Sequence, residues 1–388
     1  MSTPTSPAVR LLESAVLTGT VPGGIIAHGR DPEPVARGAM AVDGPPLEAD
    51  AIMRIQSMTK AITAVAALRL VEQGVLALDD PVGRWLPELA APRLLTSPGA
   101  QLDDTVPADA PITLRHLLTC TSGVGMILEE SPLQRAMAER GLEAGSAPWT
   151  LPAGDWLAAL GTLPLVGQPG RVWRYHHSFS VLGILLSRVT GTSLQAHLRE
   201  TLFAPLGMVD IGLWVPEEKR DRLPAAYSVA GEDEEPGTGR TAADGLAGLV
   251  ELEPLGGGPL VGDPGHDVSH GELVSTAADY LRFLRALRDG ELVSPAHLRL
   301  LSTDQVPAAA KQPDSFFPGF WNGTGWGFGV SVVTAGAHAG RWGWSGGAGT
   351  DFFVDPDGTL GLLLTQVEMG ERIFELLGAM QELPGPTA

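Results

Sequence analysis

The chain predicts an α+β fold in which strands from both ends share one sheet and helices fill the middle. Three observations carry that expectation. Strand-like runs stand near the N-terminus, at residues 24–28 and 35–42, and return near the C-terminus at 326–333, 340–344, 351–354 and 360–366. The stretch between them reads as helical pieces joined by long Pro/Gly loops. The regular strand–helix alternation of a parallel α/β sheet does not occur. The expected division places residues 1–78 and 260–388 in an α/β domain with an antiparallel sheet, and residues 79–259 in a mostly helical domain. The active site is expected between them.

The elements follow in order. Residues 7–18 carry apolar side chains at helical spacing (Val9, Leu12, Val16) before a Gly/Pro break. The strands at 24–28 and 35–42 are separated by a turn-rich stretch at 29–34. Residues 57–72 form a strong helix rich in Ala and Leu, with Gly74 where a C-terminal cap belongs. Helical pieces are expected at 114–118 and 180–189, and another at 276–288 ending at Gly290. The acidic, glycine-rich stretch 231–258 reads as a surface excursion, a lid or substrate-side loop. A last helix spans 372–383, and residues 383–388 are expected to fray. No internal repeat is found.

With 388 residues, 44% of them hydrophobic, the chain can bury a substantial core. Its net charge of −19 is scattered along the sequence. Such a surface repels phosphate backbones, which argues against a nucleic-acid partner and favours neutral or cationic substrates. A lone cysteine, Cys120, excludes an internal disulfide, and the lack of a His/Cys cluster argues against a metal site. No stretch is long and apolar enough to span a membrane, and residues 1–10 lack a secretory pattern, so a soluble cytoplasmic protein is expected. Oligomeric state is not legible.

The sharpest local signal is Ser57-Met58-Thr59-Lys60 at the start of the predicted helix. Positions i and i+3 share a helical face, so hydroxyl and amine come within hydrogen-bonding reach. Serine needs a base to become a nucleophile, and a lysine serves once burial or nearby positive charge lowers its pKa. The alternative is a capping serine beside an ordinary surface lysine. The apolar runs around the motif make this a central helix instead.

Further motifs continue in order: Leu78-Asp79-Asp80-Pro81-Val82, Trp85-Leu86-Pro87, Ile112-Thr113-Leu114-Arg115-His116-Leu117-Leu118, Pro205-Leu206-Gly207-Met208 and Trp326-Gly327-Phe328-Gly329-Val330. Together with the Ser57–Lys60 motif they resemble the serine β-lactamase-like superfamily, the class C β-lactamase and penicillin-binding-protein fold, from about residue 23 to 367. The resemblance implies Ser57 as nucleophile and Lys60 as its partner. It places the family's second motif on Tyr175-His176-His177, where Tyr175 shares the base role and His177 stands at the usual asparagine position, a substrate contact. The spacing from Tyr175 to Gly183 is closer to the family VIII carboxylesterases. The third motif, Lys-Thr-Gly in the lactamases, falls on Trp344-Ser345-Gly346. Tryptophan cannot hold a substrate carboxylate, which argues against β-lactams. The same carry-over gives Trp344, Ser345 and Gly346 to substrate binding and the backbone N–H groups of Ser57 and Gly347 to the oxyanion hole.

Gly343-Trp344-Ser345-Gly346-Gly347 also satisfies G-x-S-x-G. That elbow must join a strand to a helix, and a strand follows here, so Ser345 is rejected as nucleophile. His116 and His270 read as structural or surface groups, Cys120 as a packed thiol, and Trp344 and Trp321 as candidates for an apolar acyl or alcohol pocket. The expected enzyme is a cofactor-free serine carboxylesterase acting on short-chain acyl esters. A β-lactamase, a D-amino-acid peptidase and an acyltransferase use the same residues and remain alternatives, as does a non-catalytic binding protein.

Overall fold

The computed structural model describes residues 6–144, 151–230, 240–241, 248–313 and 315–384. The strands that bear on the site are, first, β1 (Gly23–Gly29), β2 (Val35–Gly38), β3 (Met53–Gln56), β4 (Ala226–Val229), β5 (Leu249–Glu253) and β6 (Leu273–Ser275). The C-terminal part then adds β7 (Thr324–Trp326), β8 (Ser331–Val333), β9 (Trp342–Gly346), β10 (Thr350–Val354) and β11 (Leu360–Leu364). The helices used below are α1 (Pro7–Leu17), α2 (Thr59–Glu72), α3 (Leu114–Leu118), α4 (Ala153–Gly161), α5 (His177–Thr190), α6 (Ala277–Arg288) and α7 (Glu371–Gln381).

Seven strands form the main sheet in the order β7-β8-β9-β10-β11-β1-β2, with antiparallel neighbours throughout. The two ends of the chain meet where β1 pairs with β11, Ile25 opposite Leu364. Alternation sends successive side chains to opposite faces. Ile25, Phe352, Leu362 and Leu364 therefore enter one core, while Ile26, Phe353 and Leu363 enter the other. The second face is covered by α1 and α7. Ser6 starts α1 by accepting the Val9 N–H, with Pro7 at a position that needs no donor.

The first face is covered by α2 and α6. Every residue of α2 from Thr59 to Leu68 is buried, the pattern of a helix surrounded by protein rather than lying on a surface. Gly74, with φ +70°, closes it. Its start is set by β3, which pairs antiparallel with β6 in a small separate sheet.

Several sequence expectations change in detail. The run at 326–333 is a hairpin, not one strand: β7 ends at Trp326 and the chain turns through Gly329, φ +82°, into β8. The strand predicted at 35–42 stops at Gly38, whose φ of +81° breaks the extended path. Within the predicted excursion at 231–258, residues 231–239 and 242–247 lie outside the described residues. Leu249–Glu253 is β5, paired with β4, so that part is sheet. Leu383 is buried rather than frayed, and residues 385–388 lie outside the described residues. Among the described residues no helix is long and apolar enough to cross a membrane.

Candidate active site

The site is built on the passage from β3 to α2. Gln56 ends the strand with φ +42°, Ser57 and Met58 make a turn, and α2 begins at Thr59. This is the strand–turn–helix that the Ser345 segment lacks: β9 continues through a tight turn into β10, and Ser345 Oγ donates to Asp351 Oδ1 at 3.0 Å. Ser57 and Lys60 sit on one face of the first helical turn, and Lys60 Nζ donates to Ser57 Oγ at 2.8 Å.

Register in the small sheet brings in a third group. Gln56 lies opposite Leu273, so in an antiparallel pair the residue after Gln56 faces the residue before Leu273. Those residues are Ser57 and Glu272. The Glu272 carboxylate oxygen Oε1 accepts from Ser57 Oγ at 3.1 Å and from Lys60 Nζ at 3.0 Å. The Leu273 N–H, donated to Thr59 Oγ1 at 2.7 Å, ties the start of β6 to the start of α2.

Tyr175 approaches from the loop before α5. Its ring lies under Lys60, with Nζ 4.9 Å from the centroid. Trp344 Nε1 donates to the Tyr175 oxygen at 2.6 Å. Trp173, Phe316, Trp326 and Trp344 pack round the tyrosine ring, and Trp321 packs on Trp173 behind them. Among the described residues the non-glycine positions with positive φ are Asp43, Gln56, Cys120 and His176. Gln56 adjoins Ser57 and His176 adjoins Tyr175. Cys120 is near enough for Lys60 to influence its thiol. Backbone strain is thus concentrated where the reactive side chains are aimed.

Glycine is required where β9 meets β3. A Cβ on Gly346 would lie 2.3 Å from the Ile55 carbonyl oxygen, and one on Gly347 would lie 2.4 Å from Gln56 Oε1. Without side chains these residues bring the end of β9 and the turn after it against Ile55 and Gln56, the two residues before Ser57.

Electrostatics follow from burial and the Glu272 charge. Desolvation, the largest single cause, pulls the Lys60 ammonium toward losing its proton, but Glu272, Tyr175 and Cys120 together outweigh it and the net shift is upward. Burial raises the Tyr175 phenol; Lys60 opposes this, Glu272 adds to it, and hydrogen bonding with Ser57 and Trp344 works against it. Burial pushes the Cys120 thiol up to about 12, consistent with a packed, inert group. Burial takes His176 well below its ordinary value and His177 down to about 4.

The structure brings together Ser57, Lys60, Tyr175 and Trp344. His177 is 1% exposed, its Nε2 lies 2.6 Å from the Leu142 carbonyl oxygen, and its ring stacks on Trp156 of α4. Ser345 is engaged with Asp351. Glu272 is the residue that sequence reasoning missed. Its only signal is the apolar run 273–277 that follows it, which shows a strand without showing its partner. A cavity of about 560 Å³ lies beyond Phe316, lined by Met126, Ile127, Leu133 and Val166 together with Glu129 and Glu130. It adjoins the site, since Met126 N–H donates to the Tyr175 carbonyl and the Phe316 ring is 4.9 Å from that of Tyr175.

The family model for β-lactamase matches residues 9–373. The chain belongs to the β-lactamase family. Within and around this family, it is 37% identical over 336 residues to protein Rv1367c of Mycobacterium tuberculosis, across 82% of this chain and 78% of that one. It is 35% identical over 338 residues to esterase EstB of Burkholderia gladioli, across 83% and 78%. Among solved structures, EstCE1, described as a hydrolase with promiscuous acyltransferase activity, superposes with a TM-score of 0.75 at 26% identity, across 96% of this chain and 97% of that one. The β-lactamase fold expected from the sequence is the fold observed.

Proposed function

We propose that the protein is a serine carboxylesterase that hydrolyses short-chain acyl esters through an acyl-Ser57 intermediate. The observation that carries this reading is the bond from Trp344 to Tyr175. At the place where a lactamase would present a lysine to the substrate carboxylate, this chain holds an indole whose N–H is engaged with the phenol. The Lys60 ammonium beside Ser57 is already paired with the Glu272 carboxylate, which disfavours an anionic substrate. The esterase names borne by EstB and EstCE1 point the same way.

In this reading Ser57 attacks the ester carbonyl, and the oxyanion is held by the backbone N–H groups of Ser57 and Gly347. The family resemblance gives the base role to Lys60 and Tyr175, and Gly346 permits the close approach that builds the hole. Trp344 and the cavity beyond Phe316 offer the apolar surface for the acyl or alcohol part. His177 holds the start of α5, and through it Tyr175, by its bond to Leu142. We place the protein in the cytoplasm, acting on small esters without a cofactor.

The test is steady-state turnover of a short-chain p-nitrophenyl ester beside a chromogenic cephalosporin, with Ser57→Ala and Ser345→Ala variants. Ester turnover well above lactam turnover is expected, lost by about 10⁴-fold or more in Ser57→Ala and kept in Ser345→Ala. Dominant lactam turnover would make the protein a β-lactamase. A second reading is favoured by the printed description of EstCE1: transfer of the acyl group to an alcohol. Adding a primary alcohol and measuring the ester-to-acid product ratio separates the two.

A further inference from the structure

The family resemblance assigns the base role to Lys60 and Tyr175, and Glu272 is not part of it. The atoms round Ser57 suggest a different division of labour. A serine hydroxyl has one hydrogen to give and two lone pairs to receive. Ser57 Oγ receives from Lys60 Nζ and gives its hydrogen to Glu272 Oε1. The nucleophile's proton therefore already points at a carboxylate within transfer distance. The lysine stands on the opposite side of the bond, as a donor.

We infer that Glu272 is the general base that removes the proton of Ser57, and that Lys60 serves as a cation during attack. This rests on the reading of Ser57 as nucleophile. Each other candidate base is occupied. Lys60 would have to give up a proton while buried against a carboxylate, with Nζ 3.0 Å from Glu272 and Lys60 only 2% exposed. The Tyr175 oxygen receives the Trp344 N–H and also interacts with Ser57, but burial raises the phenol and the Glu272 charge adds to this, which disfavours a phenolate.

The proton balance closes within these residues. As the bond from Ser57 Oγ to the acyl carbon forms, the hydroxyl proton passes to Glu272 and the carbonyl oxygen becomes the oxyanion. When the tetrahedral species collapses, the bond to the leaving oxygen breaks and Lys60 protonates that alkoxide. Glu272 then returns its proton to Lys60 across their contact, restoring carboxylate and ammonium. Water repeats the sequence in deacylation, with Glu272 taking its proton and Ser57 leaving.

The charged and titratable groups facing this pair come from three elements. They are Lys60 itself from α2, Cys120 from the end of α3, and Tyr175, His176 and His177 at the start of α5. The thiol sits at about 12 and His177 at about 4, so both keep one charge state between about pH 5 and 9. Neither group then changes the rate in that window.

The experiment uses the full chain and the variants Glu272→Gln and Glu272→Asp. Two readouts are taken from pH 5 to 10: kcat/KM on a p-nitrophenyl ester, and the rate at which a fluorophosphonate labels the protein. Peptide mapping locates the label, and thermal unfolding checks the fold. Glu272→Gln is expected to lose about 10²- to 10⁴-fold in both rates at pH 7. The residual rate should climb with pH as Lys60 and Tyr175 begin to lose protons. Glu272→Asp keeps a carboxylate on a shorter arm and is expected to recover part of the rate; should the glutamine variant fail to fold, a labelling rate in Glu272→Asp equal to or above that of the unaltered protein overturns the inference. A Glu272→Gln protein that equals or exceeds the unaltered one at pH 7, with its alkaline rise moved to lower pH, also overturns it. Glu272 would then be a clamp holding Lys60 charged, and Lys60 the base. A label found away from Ser57 in the unaltered protein overturns the nucleophile reading instead, so the two failures are distinguishable.

Discussion

Arg54 and Lys60 flank Ser57, and each is a buried cation on a glutamate. Exposure hardly separates them: the side chains of Arg54 and Glu253 are 4% and 17% exposed, those of Lys60 and Glu272 2% and 18%. Their remaining contacts do. Arg54 gives Nε and Nη2 to Glu253 Oε2 and Nη1 to the Pro224 carbonyl and to Gln366 Oε1. Each partner is a passive acceptor, and together they bind β3 to β5 and to the chain after β11. Lys60 makes two such bonds, and one ends on a hydroxyl that Glu272 also holds. A buried ion pair is weak evidence for function in itself. What marks the second pair is that it closes on a nucleophile.

The comparison breaks first under removal of each cation. Lys60→Met is expected to cost about 10³-fold or more in kcat/KM, because the hydroxyl and the leaving alkoxide both lose their donor. Its midpoint of urea unfolding should move less than that of Arg54→Met, since Lys60 makes two bonds against four and Glu272 keeps Ser57 as a donor. Arg54→Met leaves a carboxylate, a carbonyl and an amide oxygen without their donor, and is expected to cost about 3–5 kcal/mol of stability. The kcat/KM of the protein that remains folded should stay within a few-fold. Activity loss in Arg54→Met without loss of stability would show that the two pairs are not functionally distinct.

A third buried charge sharpens the contrast through pH. Asp351 lies on β10 and receives hydrogen bonds from Ser345, Gln381 and the Phe352 N–H, while Arg341 is paired with Asp355. Burial lifts its carboxyl from 3.8 to about 6, with those hydrogen bonds and Arg341 pulling the other way. The folded protein therefore holds a proton that the unfolded chain releases. This contribution to stability is full below about pH 4 and is lost as pH rises through about 6, on the order of 2–3 kcal/mol. Asp351→Asn should remove that slope in urea unfolding measured from pH 4 to 7. An unchanged slope would mean that Asp351 stays ionised in the folded protein.

The difference between the two pairs also explains what the sequence made legible. Ser57 and Lys60 are close because they lie on one helical turn, and local spacing encodes that. The sheet joining both ends was legible from the strand-like runs at each end of the chain with helices between them. Tyr175, Gly347 and Trp344 came through the ordered series of motifs, each marking a backbone that turns sharply or approaches another chain segment. Glu272 depends on the pairing of β3 with β6, two short strands far apart in sequence whose register includes a bulge between Arg54 and Gln56. Nothing local to residues 269–277 records that partner. The hairpin at Trp326 was read as one strand for a related reason: Gly329, the residue that turns it, sits inside an apolar run, and its φ of +82° follows from packing against the Lys60 carbonyl, 2.8 Å from where its Cβ would be.

The smallest expected effects separate the two surroundings most cleanly, because each removes neutral hydrogen-bonding groups and no charge. Trp344→Phe keeps the ring against Tyr175 and deletes the N–H on the phenol oxygen. One hydrogen bond of this kind corresponds to about 1–1.5 kcal/mol, so kcat/KM should fall by about tenfold with little change in unfolding. Because that bond helps to hold the phenol down, its loss moves Tyr175 further up, and any alkaline limb of the rate profile should shift to higher pH. Gln366→Leu instead deletes one acceptor of Arg54 and the bond from its own Nε2 to the Thr365 carbonyl. It should lower stability by about 1–2 kcal/mol and leave kcat/KM within twofold. If both variants lost stability and neither lost rate, Trp344 would be packing only, and Tyr175 would have no part in moving protons at Ser57.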